Sequence, residues 1–470
     1  MAKPIKIQDL SRTFIEENPN FTFVIEYGCF YDKDPIYNYY KPIIDHELAI
    51  KLTNFLDINL NINITEATVK AFTHHIKINC RQQQSPDTDK ILFNDQFYLD
   101  LTDLTIKPLQ EEDIITFFIN TPTPKDGDAC NIFHKTLTEI LVKKDKPTEP
   151  DQELINLTQE MFGYYLLSEL EPPVAFFLNG QGSNGKSTLL QILEQLAGGE
   201  KFVMANSIEN ITTSQWAAQQ LRFHRLNCCS EEQSKRIKTD KLKAIIDGSK
   251  IYADIKFSSP ISFNPKTKHI FATNSLPSFD KIDDGLKRRI IIIPFYRKFE
   301  PQDSNKQLKT ADFTKSLFHP ELSAIVAWAI QGAQRLRSNN YVFSYSEASQ
   351  EQMSTYIQNS SNAVAFIQEN FTTPPKQVIV DEWNFFSVER LYKIYQVWCK
   401  SNGKKTFASN NFREEIQNTL KLKSVPAWDK VEKRTFRGFY LNLQDECSLK
   451  NHPDLLMQFD ESETVLPLTF

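Results

Sequence analysis

The chain reads as an α/β protein with a nucleotide-binding core, preceded by a mixed α/β or helical region and followed by a basic module. Three observations predict this. Apolar Val174–Leu178 runs into Gly180-Gln181-Gly182-Ser183-Asn184-Gly185-Lys186-Ser187-Thr188, and then into helical spacing at Leu189, Leu190, Leu193 and Leu196. From there to about residue 300, short apolar runs alternate with charged helical stretches, as a core of strands covered by helices requires. Residues 383–440 hold 12 Lys/Arg against 5 Asp/Glu, an excess of seven in a chain whose net charge is −5.

A length of 470 residues is ample for several domains and a large core, and 40% hydrophobic with 24% charged residues is ordinary for a globular protein. No apolar run is long enough to span a bilayer, and Met1–Lys6 lacks the apolar stretch of a secretory leader, so no membrane partner and a cytoplasmic location, in a bacterium or a host cell, are expected. Seven scattered cysteines without a CxxC suit free thiols. His74, His75 and Cys80 lie close together, but their spacing fits no common zinc site.

In chain order, residues 1–90 form an accessory region without an assignable motif, closed by a linker at Gln82–Asp87. Residues 91–150 form the unit before the core. Ile91–Phe93 and Phe97–Leu99 read as strands there, and Ile132, Phe133, Leu137, Ile140 and Leu141 mark a helix. The core spans 151–337. A helix over about 151–169 carries Leu154, Leu157, Met161, Tyr165 and Leu166 on one stripe, and a last helix carries Leu322, Ile325, Val326, Ala329, Ala333 and Leu336. Polar 338–382, with Thr372-Thr373-Pro374-Pro375, reads as a linker; 383–445 is the basic module, and 446–470 an acidic tail.

Strand, glycine loop, Lys-Ser and helix is the order of a phosphate-binding loop. Backbone N–H groups and the helix's positive end would cradle an anion, Lys186 would reach the β/γ-phosphates of ATP, and Ser187 would ligate Mg²⁺. Three of only 13 glycines lie in this loop. Forty-five residues after Lys186, the small and apolar run Leu226-Asn227-Cys228-Cys229 ends in Ser230-Glu231-Glu232. Those carboxylates can hold the Mg²⁺ shell, Glu231 foremost, and orient water; the bland alternative is a capped helix start. Strand-like Lys268–Thr273 ends in Asn274, which can sense phosphate or simply begin a turn. Arg288 and Arg289 precede the apolar Ile290–Ile293, as a charge clamp for a neighbouring subunit or as a basic cap.

Taken together, Gly180–Thr188, Ser230–Glu232, Asp247–Pro260, Phe271–Pro277 and Asp283–Phe295 resemble the superfamily 3 helicases, in their phage/plasmid and poxvirus-type primase-helicase branch. The resemblance runs from about residue 90 to about 300 and is less specific before the core, where it implies a helical pre-motor domain. It implies an AAA+-like ATPase core and a ring, usually a homo-hexamer, typically moving 3′→5′ on single-stranded and forked DNA. It makes Lys186 and Ser187 the Walker A residues, Glu231 and Glu232 the Walker B pair and Asn274 the motif C amide. Arg289 best matches the arginine finger, with Arg288 the near alternative. It places Lys256 and Phe257 on a hairpin that touches DNA in the central channel, where a cation and a ring suit phosphate and base; the alternative is an exposed strand with a buried Phe. Cys228-Cys229 are smaller than the aliphatic run usual there, leaving open which glutamate is essential.

No paired-carboxylate strand or zinc cysteines mark a primase in residues 1–90. In the basic module, helices from Ser387 and from about Ser409 precede Lys433-Arg434-Thr435-Phe436-Arg437, a basic strand and turn. Helices followed by such a hairpin resemble a winged-helix DNA-binding domain; a protein-docking module is the alternative. The expectation is an ATP- and Mg²⁺-dependent DNA helicase for replication of a phage, plasmid or other mobile element, with a possible primase or initiator partner. A primase-helicase with an unrecognised priming fold, or a non-unwinding initiator, are the rivals.

Overall fold

The computed structural model describes residues 6–43, 45–59, 64–125, 127–230, 236–254, 260–279, 282–300, 311–373, 384–404, 406–420, 422–429, 434–444 and 465–467. The chain divides into two compact units, 1–350 and 351–470.

The centre of the first unit is a parallel five-stranded sheet. Its strands, numbered here in chain order, are β1 (Ala175–Asn179), β2 (Val203–Met204), β3 (Leu226–Cys229), β4 (Lys268–Thr273) and β5 (Ile290–Pro294), arranged β2-β3-β4-β1-β5. β1, β3 and β4 are almost wholly buried, as strands covered on both faces must be. From β1 the chain crosses to one side of the sheet, returns through β3 and β4, and then passes to β5 on the other side. That reversal makes the carboxyl end of β1 a topological switch point, where ligands bind in open α/β sheets.

Helix Gln152–Leu166 lies against helix Leu322–Ser338 on this core. A Cβ at Gly163 would overlap the backbone of Gly332 and Ala333, and one at Gly332 would overlap Gln159, so the crossing depends on both glycines. Fully buried Glu160 is neutralised there by Arg335 at 2.7 Å and accepts from the Ser344 N–H at 2.6 Å. The expected helix at 151–169 and the last helix with its stripe from Leu322 to Leu336 are thus present, the first shorter by a few residues.

Upstream, strands Thr22–Val24, Cys29–Lys33 and Tyr40–Ile43 form a sheet joined by Arg81–Gln83. Helices Ile7–Glu17 and Glu66–Asn79 help to enclose an aromatic core of Phe14, Phe21, Phe30 and Phe72. Two expectations need correction. The presumed linker at 82–87 begins as a strand, because Gln82 and Gln83 pair in parallel with Phe23 and Val24. The expected helical unit 91–150 holds, among the described residues, a single helix, Asn131–Ile140, among short strands, since Ile91, Leu92, Tyr98 and Leu99 serve a meander with Thr105–Pro108. Its buried residues share one core with β1, β3 and β4.

In the second unit, helices Asn362–Asn370, Val388–Ser401 and Ser409–Thr419 share a core of Phe366, Tyr395, Trp398 and Phe412. Strand Arg434–Leu443 pairs with Val425–Asp429, Asn384–Ser387 and Phe371–Thr372. The stretch 338–382 is therefore not simply a linker: Glu347–Ser360 and Asn362–Asn370 are helical, the latter because Ala363, Val364, Phe366 and Ile367 form a buried stripe. Nor is the tail wholly outside the fold, because Val465–Pro467 adds a strand to Val425–Asp429.

Candidate functional site

Asn179 ends β1, and helix Lys186–Leu196 begins six residues after Gly180. Between them the backbone turns through positive φ at Ser183 (60°) and Gly185 (92°). Gly185 is required twice over: its φ disfavours a side chain, and a Cβ would strike Ile140 at 2.5 Å. Gly180 leaves no room either, because its Cβ would meet the Phe295 carbonyl oxygen at 2.5 Å. Asn184, buried, donates to that same oxygen at 3.5 Å, tying the loop to the end of β5.

Lys186 is 7% exposed. Its ammonium donates to the Gly180 carbonyl at 2.5 Å, the Gln181 carbonyl at 3.3 Å, Asn184 Oδ1 at 3.1 Å and Asn274 Oδ1 at 3.3 Å. All four acceptors are neutral, and burial lowers the lysine pKa. A largely dehydrated cation held by neutral oxygens suits exchange onto phosphate oxygens, which would restore its charge balance. Thr188 is buried, while Gln181, Gly182, Ser183 and Ser187 face solvent. The Ser187 hydroxyl, in the first turn of the helix, is thereby accessible to a hard cation.

Asn274 follows β4, so its contact with Lys186 joins the ends of two neighbouring strands. β3 lies on the other side of β4, with Cys229 opposite Phe271. Glu231 and Glu232 lie outside the described residues, one and two positions beyond exposed Ser230. The small cysteines of β3 have a local reason. The Cys228 thiol is hydrogen-bonded to Glu194 of helix Lys186–Leu196; burial pushes the thiol pKa well up and raises that of the carboxyl. An aliphatic residue offers no such partner.

The two arginines separate cleanly. Arg289, 8% exposed, forms a two-pronged pair with Asp247, its Nε and Nη2 each 2.6 Å from a carboxylate oxygen. It also donates to the Gly285 carbonyl, and this pairing raises its pKa. Arg288 is exposed and makes no ion pair among the described residues. The expected preference for Arg289 as the finger meets a physical obstacle: its guanidinium is already committed within the chain. Asp247 opens the Asp247–Pro260 segment of the sequence resemblance, but nothing in that segment marks it as the partner of an arginine 42 positions on.

Lys256 and Phe257 lie outside the described residues. Their flanks, Ile251–Ala253 and Ile261–Phe263, pair antiparallel as the two strands of a hairpin. Tyr252 on its first strand is 72% exposed, an aromatic group that pattern reading also missed. In the second unit, Lys433 is outside the described residues, Arg434 opens the long strand, and exposed Arg437 donates to the Ser424 carbonyl at 3.4 Å. Among the described residues no His, Cys, Asp and Glu cluster could hold a metal ion, and no helix is long and apolar enough to cross a membrane.

Residues 178–289, which include the loop, β3, β4 and the arginines, match a family of unknown function (DUF5906). Residues 359–453 match the poxvirus D5 protein-like family. A curated protein of Acanthamoeba polyphaga mimivirus, a putative helicase (L207/L206), is 27% identical over 185 residues, covering 38% of this chain and 19% of that protein. This chain thus matches about a fifth of that relative's length. The apo structure of the NrS-1 C-terminal region superposes with a TM-score of 0.51 at 14% identity, covering 93% of this chain and 99% of that one, a likeness of fold. These similarities support a relationship between this chain and D5-like, helicase-related proteins.

Proposed function

We propose that the chain is an ATP-dependent DNA helicase motor. The observation that carries this reading is the convergence of Lys186 and Asn274 at the switch point of the parallel sheet, 3.3 Å apart. The D5-like match in the second unit and the helicase-named relative favour a nucleic-acid motor over other users of such a loop. The loop of residues 180–188 holds the triphosphate, with Lys186 exchanging its carbonyl and amide partners for phosphate oxygens. Ser187 and Glu231 hold Mg²⁺, which when bound offsets phosphate charge. Asn274, with Glu231 or Glu232, positions water.

Arg288 is the residue free to reach a neighbouring subunit's site, and Arg289 holds it in place through Asp247. Lys256, Phe257 and Tyr252 form the hairpin surface for single-stranded DNA in a ring, hexameric by resemblance. The helices and long basic strand of the second unit serve as a winged-helix module for duplex DNA, using Lys433, Arg434 and Arg437. The role is replication of a mobile element, with 3′→5′ movement.

The test is strand displacement on forked, 3′-tailed and 5′-tailed duplexes by the intact chain and by Lys186→Ala. Unwinding of forked and 3′-tailed substrates by the former alone supports the reading. ATP-dependent duplex binding without displacement would favour an initiator instead.

A further inference from the structure

A cavity of about 350 Å³ opens in the first unit at the edge of the sheet opposite the loop of residues 180–188. Its walls include the N-terminal strands, the segment around Pro86 and Thr88, and the amino ends of β3 and β4. Lys268 opens β4 and Asn274 follows its other end, so the two sites are separated by one strand length, on the order of 20 Å.

The cavity is rich in cations. Arg222 and Lys268 are buried, Arg225 is partly buried, and Lys201 and Lys266 are exposed at its rim. A further lysine, Lys41, pairs with Asp34 at 3.7 Å. Of the lining residues only Glu47 carries a carboxylate, and it is exposed. Two of these cations are held by backbone carbonyls. Lys268 donates to the carbonyls of Tyr164 and Leu167, and Arg225 to those of Thr88, Leu166 and Leu167 at 2.8–3.3 Å. Neither makes an ion pair among the described residues; Glu169, engaged by Arg337 at 2.6 Å, acts on both only through space, as Asp89 does on Arg225. Burial depresses the pKa of both, Arg225 to about 10. Like charges gathered under partial burial are costly unless a counter-charge joins them.

Rings supply the rest of the wall. Arg225 stacks over Phe117 at 4.2 Å, and the hydroxyls of Tyr27 and Tyr31 have no hydrogen-bond partner among the described residues. A purely structural role accounts for the carbonyl contacts of Arg225 and Lys268. It does not account for rim lysines whose hydrogen-bond partners among the described residues are the Tyr39 and Thr88 hydroxyls, nor for the unengaged phenols. The volume lies in the range of small-ligand sites.

We propose that this cavity binds a nucleoside phosphate, its phosphate among Arg222, Arg225, Lys268 and the rim lysines and its ring against the tyrosine wall. The phosphate belongs either to a free mononucleotide or to the 5′ end of a DNA strand. The site is separate from the ATP loop and does not depend on how that loop is read.

The test uses the full chain carrying Lys186→Ala, which removes the loop's cation. AMP binding is measured by titration calorimetry, beside a short oligothymidylate with a 5′-phosphate and its 5′-hydroxyl counterpart. About one equivalent of AMP or of the phosphorylated oligonucleotide is expected, weakened at least tenfold by Lys201→Ala with Lys266→Ala. These exposed positions leave the fold intact, which circular dichroism checks. AMP binding identifies a free nucleotide; binding only of the phosphorylated strand identifies a DNA end. Absence of binding by both probes up to millimolar concentration, or binding indifferent to the rim substitutions, overturns the proposal. Failure of the loop reading would show separately, as ATP hydrolysis surviving Lys186→Ala.

Discussion

At the scale of single residues, three cationic side chains decide what the core can do. Lys186→Ala is expected to abolish ATP hydrolysis with little change in the unfolding midpoint, because its ammonium serves the loop's carbonyls and amides rather than apolar packing. Hydrolysis near the unsubstituted rate would remove the motor reading. The paired arginines make a sharper case. Arg289→Ala leaves Asp247 unpaired in a largely dehydrated site and is expected to cost roughly 2 kcal/mol, read from chemical denaturation. Arg288→Ala removes no described contact, so stability should stay within about 0.5 kcal/mol. Its turnover should fall on the order of 10³-fold if it completes a neighbour's site. Mixing inactive Arg288→Ala with inactive Lys186→Ala should then restore part of the ATPase activity, since some mixed interfaces combine an intact loop and an intact finger. Inactive mixtures despite proven subunit exchange would place Arg288 outside the site. The motif spacing made both arginines visible in the sequence, but not which one is free. That depended on Asp247, a partner supplied by tertiary contact.

At the scale of elements, β4 joins function and stability. His269 near its start is fully buried, lies parallel to the Phe271 ring, and has no partner for either ring nitrogen among the described residues. Burial depresses its pKa to about 3, against 6.5 for an ordinary histidine. The unfolded chain therefore binds the extra proton first. Stability should be at its full value above about pH 6.5 and decline progressively between there and pH 3. His269→Phe should flatten that decline, seen as a shallower loss of denaturation midpoint between pH 6.5 and 4.5. An unchanged slope would exclude His269 as its source. The hairpin after β3 offers a functional counterpart: Tyr252→Ala should keep basal ATPase while lowering stimulation by single-stranded DNA, as removal of one stacking surface implies. Equal stimulation would remove Tyr252 from the DNA path. The strand–loop–helix at 174–196 was legible because a fixed local pattern encodes it. The strand at Arg81–Gln83 was not, because Gln82 and Gln83 carry no strand signature and pair only with a segment some 60 positions earlier.

At the scale of the whole molecule, charge is divided unevenly. Residues 383–440 carry an excess of seven positive charges, so the remainder carries −12. That division was plain from composition, as was the helical part of the second unit, because Leu391, Ile394, Tyr395 and Trp398 keep a helical period. The strand at Val465–Pro467 was hidden in an acidic tail, since three residues are too few to show alternation. A basic module on an acidic chain predicts a division of labour. If the second unit binds duplex DNA through phosphates, each Lys or Arg contact releases about one counterion. Deleting 351–470, a compact unit with its own core, should then weaken duplex binding and make its dependence on salt shallower. ATP hydrolysis should persist, because the loop, Asn274 and the arginines all belong to the first unit. Arg437→Ala in the intact chain gives the finer measurement, since Arg437 is exposed and, among the described residues, donates only one long hydrogen bond, to the Ser424 carbonyl. It should reduce the slope of log affinity against log salt by about one, with no change in unfolding midpoint. A duplex affinity and salt slope unchanged by both alterations would make the second unit a protein-docking module and shift duplex recognition to the first.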